Sequence, residues 1–262
     1  MKKSVKIIIS VLAIVLICAI SFDVLLVNNS KQETPVNTTQ NIENQATESE
    51  EKTYSNPVEA QARKMVENMT LYEKVGQMLL YYIPKEEPLK KMARWQFGGY
   101  ILFSRNFQNS TPANTRSEIE EYQKASKIPA FMAVEFSQYR SEPFHAGITN
   151  YQKGGWQAVE ADAKDKSKFM LDLGINTVLA PVADVPYSRS DYIYSRAFST
   201  DADSVSEYVS KTVGTMKENN LLSCVKHFPG YGNNTNTHTG MSVDKRSWES
   251  FEERDLKPFK AG

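Results

Sequence analysis

The stretch Leu173–Val185, "LGINTVLAPVADV", decides how the chain is read. Gly174 closes a helix-like segment, because glycine reaches the left-handed conformation that ends a helix without a steric penalty. The run "NTVLAPVADV" (176–185) follows at once, and its apolar residues continue rather than alternate. A strand with one wet face alternates; an unbroken apolar run belongs to a strand covered on both faces, as in a parallel sheet. Asp184 and a polar loop stand at its far end.

The same unit recurs on either side. Strand-like runs occur at "MLLYYI" (78–83), "GGYILF" (98–103), "PAFMAVE" (129–135) and "LSCVKHF" (222–228). Helix-like segments occur at 59–78, with Thr70 as an internal cap, and at 115–126, 156–174 and 202–220, the last stopped by Asn219 and Asn220. About five βα units result. An open doubly wound sheet and a (β/α)8 barrel both fit this α/β pattern. No GxGxxG or Walker loop follows any strand, which argues against the nucleotide-binding version. Polar residues gather after the strands instead: Arg105, Glu135, Asp184, Arg196, Lys226, His227 and His238. In a barrel such positions converge on one mouth, where the chemistry is done.

Outside these units the sequence changes character. Lys2, Lys3 and Lys6 precede an apolar run from Ile7 that Asp23 interrupts before Val27, close to the ~20 residues a membrane-spanning helix needs. Residues 1–27 therefore read as an uncleaved anchor, a cleaved signal peptide, or a segment lipidated at Cys18. All three place the remainder on the extracytoplasmic side, membrane-anchored or secreted. Residues 28–57 are polar and mildly acidic and read as a disordered linker. The folded domain is expected over 58–262. The 31 basic and 31 acidic residues cancel, so no general field draws the chain to nucleic acid. Cys224 is expected as a small buried residue, and no disulfide framework is expected.

The densest chemistry lies in "SCVKHFPGYGNNTNTHTG" (223–240), which holds His227 and His238. Lys226 and His227 end a strand, either as ligand-binding groups or as a capping pair. Arg196 and Asp184 are either site residues or a structural ion pair. His238 lies in a Gly/Thr/Asn loop with little apolar surroundings. The spacing of His145, His227 and His238 matches no familiar zinc set, so neither a metal nor a cofactor is expected. Tyr81, Tyr82, Trp95 and Tyr100 are either a ligand-stacking platform or core.

Several segments, in order, resemble glycoside hydrolase family 3, in its bacterial β-N-acetylglucosaminidase branch: "MTLYEKVGQML" (69–79), "FGGYILFSRN" (97–106), "LGINTVLAPVADV" with "SRAFSTDADSV" (195–205), and "KHFPGYGNNTNTHTG" (226–240). The resemblance implies a TIM-type (β/α)8 barrel and retaining removal of a terminal N-acetylglucosamine from cell-wall-type glycans. It implies His238 as acid/base, with position 236 behind it, and Lys226, His227, Arg196, Arg140 and Glu135 as sugar-binding residues. The carbohydrate is the implied partner, with the membrane engaged through the N-terminal segment.

The chain departs from the branch pattern in three places. Asn236 stands where the branch has Asp. The third-strand loop "VEFSQYRSEPF" (134–144) has Gln138 and Tyr139 where the family has a glycine pair. The family's nucleophilic Asp follows a later strand, past Gly262; "ESFEERDLKPFKAG" (249–262) reads as the helix leading into a sixth strand, so only the first part of a barrel is expected. The alternative function is a non-catalytic sugar-binding protein or an inactive truncated member.

Overall fold

The computed structural model describes residues 56–83, 94–135 and 147–262. The chain divides into two compact units between Lys74 and Val75.

In the first unit, helix α1 (Pro57–Glu67) starts on Asn56, whose side chain accepts from the Val58 amide. The segment read from sequence as one helix over 59–78 is two, because Thr70 restarts it as α2 (Leu71–Gln77). Thr70 Oγ1 accepts from the Glu73 amide at 3.2 Å, and Glu73 reaches back to the Thr70 amide at 3.0 Å. This reciprocal capping box makes a new helix start cheaper than continuing through Asn68 and Met69.

The second unit is built on a five-stranded, all-parallel sheet in the order β1-β2-β3-β4-β5: Leu80–Tyr82, Gly99–Leu102, Phe131–Val134, Thr177–Val178 and Leu222–Ser223. Strands consecutive in sequence are neighbours in the sheet, the arrangement of an arc of a (β/α)8 barrel rather than of a doubly wound sheet, whose strand order reverses. Short helix α3 (Ser104–Phe107) and α4 (Pro112–Ala125) follow β2, and α5 (Gly147–Asp172) follows β3. Helix α6 (Ala202–Glu218) follows β4, and α7 (Trp248–Ser250), a wide helical turn (Phe251–Asp255) and α8 (Lys257–Ala261) follow β5.

Local sequence explains the boundaries. Gly155 breaks α5 with φ 64°, so its regular part begins at Trp156, where the sequence places it. Gly174 ends the turn with φ 86°, and Asn219 caps α6 with Asn220 at φ 61° beyond it. Amide side chains then tie strand ends together. Asn176 accepts from the Met132 amide at 2.8 Å and donates to Ala130 O at 3.0 Å. Asn106 donates to Ile83 O at 3.0 Å and accepts from the Phe103 amide at 2.9 Å.

The main core packs β2 and β3 residues Tyr100, Leu102, Met132 and Val134 with Ile119 and Tyr122 of α4 and Met170 of α5. A second cluster joins Val159, Ala183, Val185, Phe198, Val205, Tyr208 and Val209. The central strands are covered as their apolar runs predict, except for Phe131 at the start of β3, which is exposed. The outer two are not: Tyr81 and Tyr82 of β1 and Leu222 of β5 are exposed. Cys224 is exposed as well, contrary to expectation. It lies two residues beyond Leu222 and shares its face, while Val225 on the opposite face packs into the second cluster.

Among the described residues no helix is long and apolar enough to cross a membrane. The candidate anchor at 1–27 and the polar stretch 28–55 lie outside the described residues.

Candidate active site

The carboxyl ends of β3, β4 and β5 bring the site together. Glu135 is the first residue past β3, and its amide donates to Leu102 O at 3.2 Å. Beyond β4 the chain runs extended through Pro181 and Ala183 to Asp184. It pairs there with the continuation of β5: Lys226 N donates to Pro181 O at 3.1 Å and Ala183 N to Lys226 O at 2.6 Å. These two bonds fix the position of Lys226. The Lys226–His227 peptide that follows is cis.

Lys226 Nζ meets Glu135 Oε1 at 3.0 Å, joining the ends of β5 and β3. Burial pushes the Glu135 carboxyl up, but the charge and hydrogen bond of Lys226, with Arg196 and His227 behind it, hold it below its ordinary value. Burial pulls the Lys226 ammonium down, and Glu135 offsets this only in part. The two shifts oppose each other because the ammonium is the more deeply buried partner, with 12% of its side chain exposed against 36% for Glu135. At 3.0 Å the contact is that of an ion pair. Arg196 comes from a short helical turn, Tyr194–Arg196, anchored by buried Ile193. Its charge acts on both members of the pair.

Asp184 is completely buried and serves the turn after Lys226. Oδ2 accepts from His227 Nδ1 at 2.7 Å and from the His227 amide at 3.1 Å, and Oδ1 accepts from the Tyr231 amide at 2.7 Å. A carboxylate only accepts, so Nδ1 carries the ring proton and Nε2 is left to face a ligand. The sequence left open an Arg196–Asp184 ion pair; the oxygens of Asp184 go instead to His227 and Tyr231.

His238 and Asn236 sit on the exposed loop that follows and bond to each other. Asn236 Oδ1 lies 2.8 Å from His238 Nδ1 and accepts from the His238 amide at 2.9 Å. Because that oxygen already accepts from the backbone, Nδ1 is the donor to it, and Nε2 points away with its lone pair.

Tyr231, which sequence reasoning passed over inside the motif, links the two groups. Its amide binds Asp184, its ring stands edge-on to His227 at 5.3 Å, and its hydroxyl lies 2.6 Å from Thr237 Oγ1, next to His238. The signal for it was its place between two glycines in "PGYG".

The structure brings Glu135, Lys226, His227 and Arg196 together at the carboxyl ends of β3 to β5, and pairs Asn236 with His238. Arg140 lies outside the described residues, as do His145, Gln138 and Tyr139. Of the aromatic candidates, Tyr100 is 1% exposed and belongs to the core. Tyr81 stacks on Phe97, and Arg105 covers the ring of Tyr82 at 4.7 Å.

The profile of the glycosyl hydrolase family 3 N terminal domain matches residues 70–262. The chain belongs to glycosyl hydrolase family 3. Within that family it is 31% identical over 185 residues to a beta-hexosaminidase of Idiomarina loihiensis, covering 66% of this chain and 55% of the relative. It is 32% identical over 179 residues to one of Shewanella frigidimarina, covering 63% and 51%. The chain spans about half the length of the curated relatives it matches.

Two solved structures share the fold. A family 3 beta-N-acetylglucosaminidase from Paenibacillus sp. str. FPU-7 superposes with TM-score 0.66 at 21% identity, over 74% of this chain and 40% of that one. Native NagZ from Neisseria gonorrhoeae gives 0.60 at 22%, over 70% and 58%. The family's TIM-barrel architecture agrees with the sequential five-stranded arc.

Proposed function

We propose that the intact protein is a retaining exo-β-N-acetylglucosaminidase acting on N-acetylglucosamine-containing cell-wall glycans, held on the extracytoplasmic side by its N-terminal segment. The observation that carries this reading is the His238–Asn236 pair, set on a loop that Tyr231 connects to the Lys226, His227 and Glu135 cluster. Membership of family 3 and the relatives named beta-hexosaminidase support it.

The geometry suits the chemistry in parts. Lys226 and Arg196 offer donors to sugar hydroxyls or an acetamide carbonyl, and Glu135 and His227 Nε2 offer acceptors to sugar hydroxyls. Protonated at Nε2, His238 gives that proton to the glycosidic oxygen as the bond to the anomeric carbon breaks. Neutral afterwards, it takes a proton from the water that releases the sugar. The covalent step requires a carboxylate nucleophile, which the resemblance places after a later strand than the five described.

The test is release of the chromophore from a chromogenic β-N-acetylglucosaminide by the intact protein, with the anomeric configuration followed by NMR. Release with retention is expected. Calorimetric binding of N-acetylglucosamine without turnover would show a sugar-binding protein instead, and neither binding nor turnover would sink both readings.

A further inference from the structure

One guanidinium holds the base of the His238 loop. The stem of that loop, Gly230 to Gly232, is buried, and its tip, Thr237 to Met241, is exposed. Arg246 lies just past the far end and reaches back across the stem. Its Nη2 donates to Gly230 O at 2.7 Å. On the returning limb, Nε meets Asp244 Oδ1 at 3.0 Å and Nη2 meets Oδ2 at 2.6 Å. Nη1 donates to Asp255 Oδ1 at 2.7 Å, a side chain completely buried in the helical segment beyond the loop.

The packing around the group is equally close. The guanidinium covers the Phe251 ring at 4.2 Å. Gly232 lies against it with φ 53°, and a Cβ there would overlap the guanidinium nitrogens, so both the backbone angle and the space exclude a side chain. Asn234 adds a second tie between the limbs, donating to Asp244 and accepting from Ser242 Oγ at 3.1 Å. Between those ties runs Thr235–Met241, with Asn236 and His238 inside it and Thr237 Oγ1 2.6 Å from the Tyr231 hydroxyl of the stem.

We propose that Arg246 is a positioning residue for proton transfer: it clamps both ends of the loop to buried Asp255, so that His238 returns to one place above the sugar site. The proposal rests on the reading of His238 as the acid/base. Its physical basis is that a planar fork with five donors can serve acceptors on three chain segments at once, which a lysine ammonium cannot do in the same geometry. Reacting groups must also be held within a fraction of an ångström, and a shift of about 1 Å costs on the order of 100-fold in rate.

The test is Arg246→Lys in the full-length protein, assayed on two N-acetylglucosaminides. One carries a 2,4-dinitrophenyl leaving group, which departs without protonation; the other is the β-1,4-linked N-acetylglucosamine disaccharide, whose leaving oxygen needs the proton. We expect kcat/KM to fall roughly 10- to 100-fold on the disaccharide and less than about 3-fold on the activated glycoside, since positioned acid catalysis is worth on the order of 100-fold or more. Equal losses on both would make Arg246 a purely structural residue and overturn the proposal.

Hydrogen exchange supplies a readout that needs no turnover. The amides of Asn234, His238 and Thr239, each bonded within the loop, should exchange roughly tenfold faster in the variant, while strand 131–134 stays unchanged. Unchanged loop exchange, or uniform acceleration across the chain, also overturns it. Wild-type protein that cleaves neither substrate overturns the hydrolase reading, and the catalytic role of Arg246 with it.

Discussion

Asn236 shows how much can rest on one atom type. The amide oxygen of Asn236 lies 2.8 Å from His238 Nδ1, where a carboxylate oxygen could also orient the ring. What the amide lacks is the negative charge that stabilises an imidazolium. In a serine-protease triad, Asp to Asn behind the catalytic histidine lowers turnover by about 10⁴, so the reverse change here should act in the favourable direction. Asn236→Asp is expected to raise kcat of the intact protein on an unactivated substrate by about tenfold or more; an unchanged or lower kcat would show that His238 is not the proton donor.

Glu135 makes a different residue-scale prediction, one of pH. Its carboxyl is held below the ordinary value by Lys226 against the effect of burial. A depressed carboxylate contributes stability that is complete above its unfolded value and is lost as pH falls through its folded value. Glu135→Gln should therefore cost about 1–2 kcal/mol at pH 7, the figure for a charged hydrogen bond discounted for partial exposure. The difference from wild type should shrink as pH drops below the carboxylate range. Urea denaturation at pH 7 and pH 3 would measure it, and a pH-independent difference would count against the ion pair.

At the scale of elements, local chemistry sets the boundaries well. Asp201 caps α6, its carboxylate accepting from the Ser204 amide at 2.8 Å, and hydrogen bonds from the Ser204 hydroxyl and then its amide lower the pKa of the acid. Asp201→Ala should cost about 1 kcal/mol in thermal or urea unfolding, and Asp201→Asn only a few tenths; equal costs would show that the cap is not the cause. The polar cluster "THTG" and the aliphatic strand runs were readable because each obeys a short-range rule. The break at Thr70 was half readable. Its capping potential is visible in sequence, but whether a cap merely tolerates a helix or restarts it depends on Glu73 closing the box.

Other element-level outcomes depended on distant partners. Arg254 stands 3.7 Å over the Tyr187 ring and donates to Pro186 O at 2.6 Å, fixing the loop after β4 from a helix 68 residues away. No spacing rule connects the two. The pairing of Asp184 with His227 and Tyr231, rather than with Arg196, has the same origin. All four follow strands in the mouth, and only the register of the β4 and β5 extensions decides which meet.

For the molecule as a whole, the main core fills the space between the sheet and α4 to α6. Met170 contacts solvent nowhere and sits in that cluster with Met132, Leu173 and Met216. Met170→Ala should cost about 2–5 kcal/mol by the transfer-plus-cavity rule, lowering the unfolding midpoint without altering the loop that carries His238. A loss under about 1 kcal/mol would mean the neighbouring methionines collapse into the space.

By itself the sequence determined the α/β class, the run of βα units and the family. These follow from apolar runs, caps and motif order, all of which act over a few residues. Tertiary structure alone decided which charges pair, that Tyr231 joins the binding cluster to the His238 loop, that Arg246 ties both ends of that loop, and that Cys224 is exposed. Those outcomes turn on register and on which face of an outer strand is covered, and both are set by segments tens of residues apart.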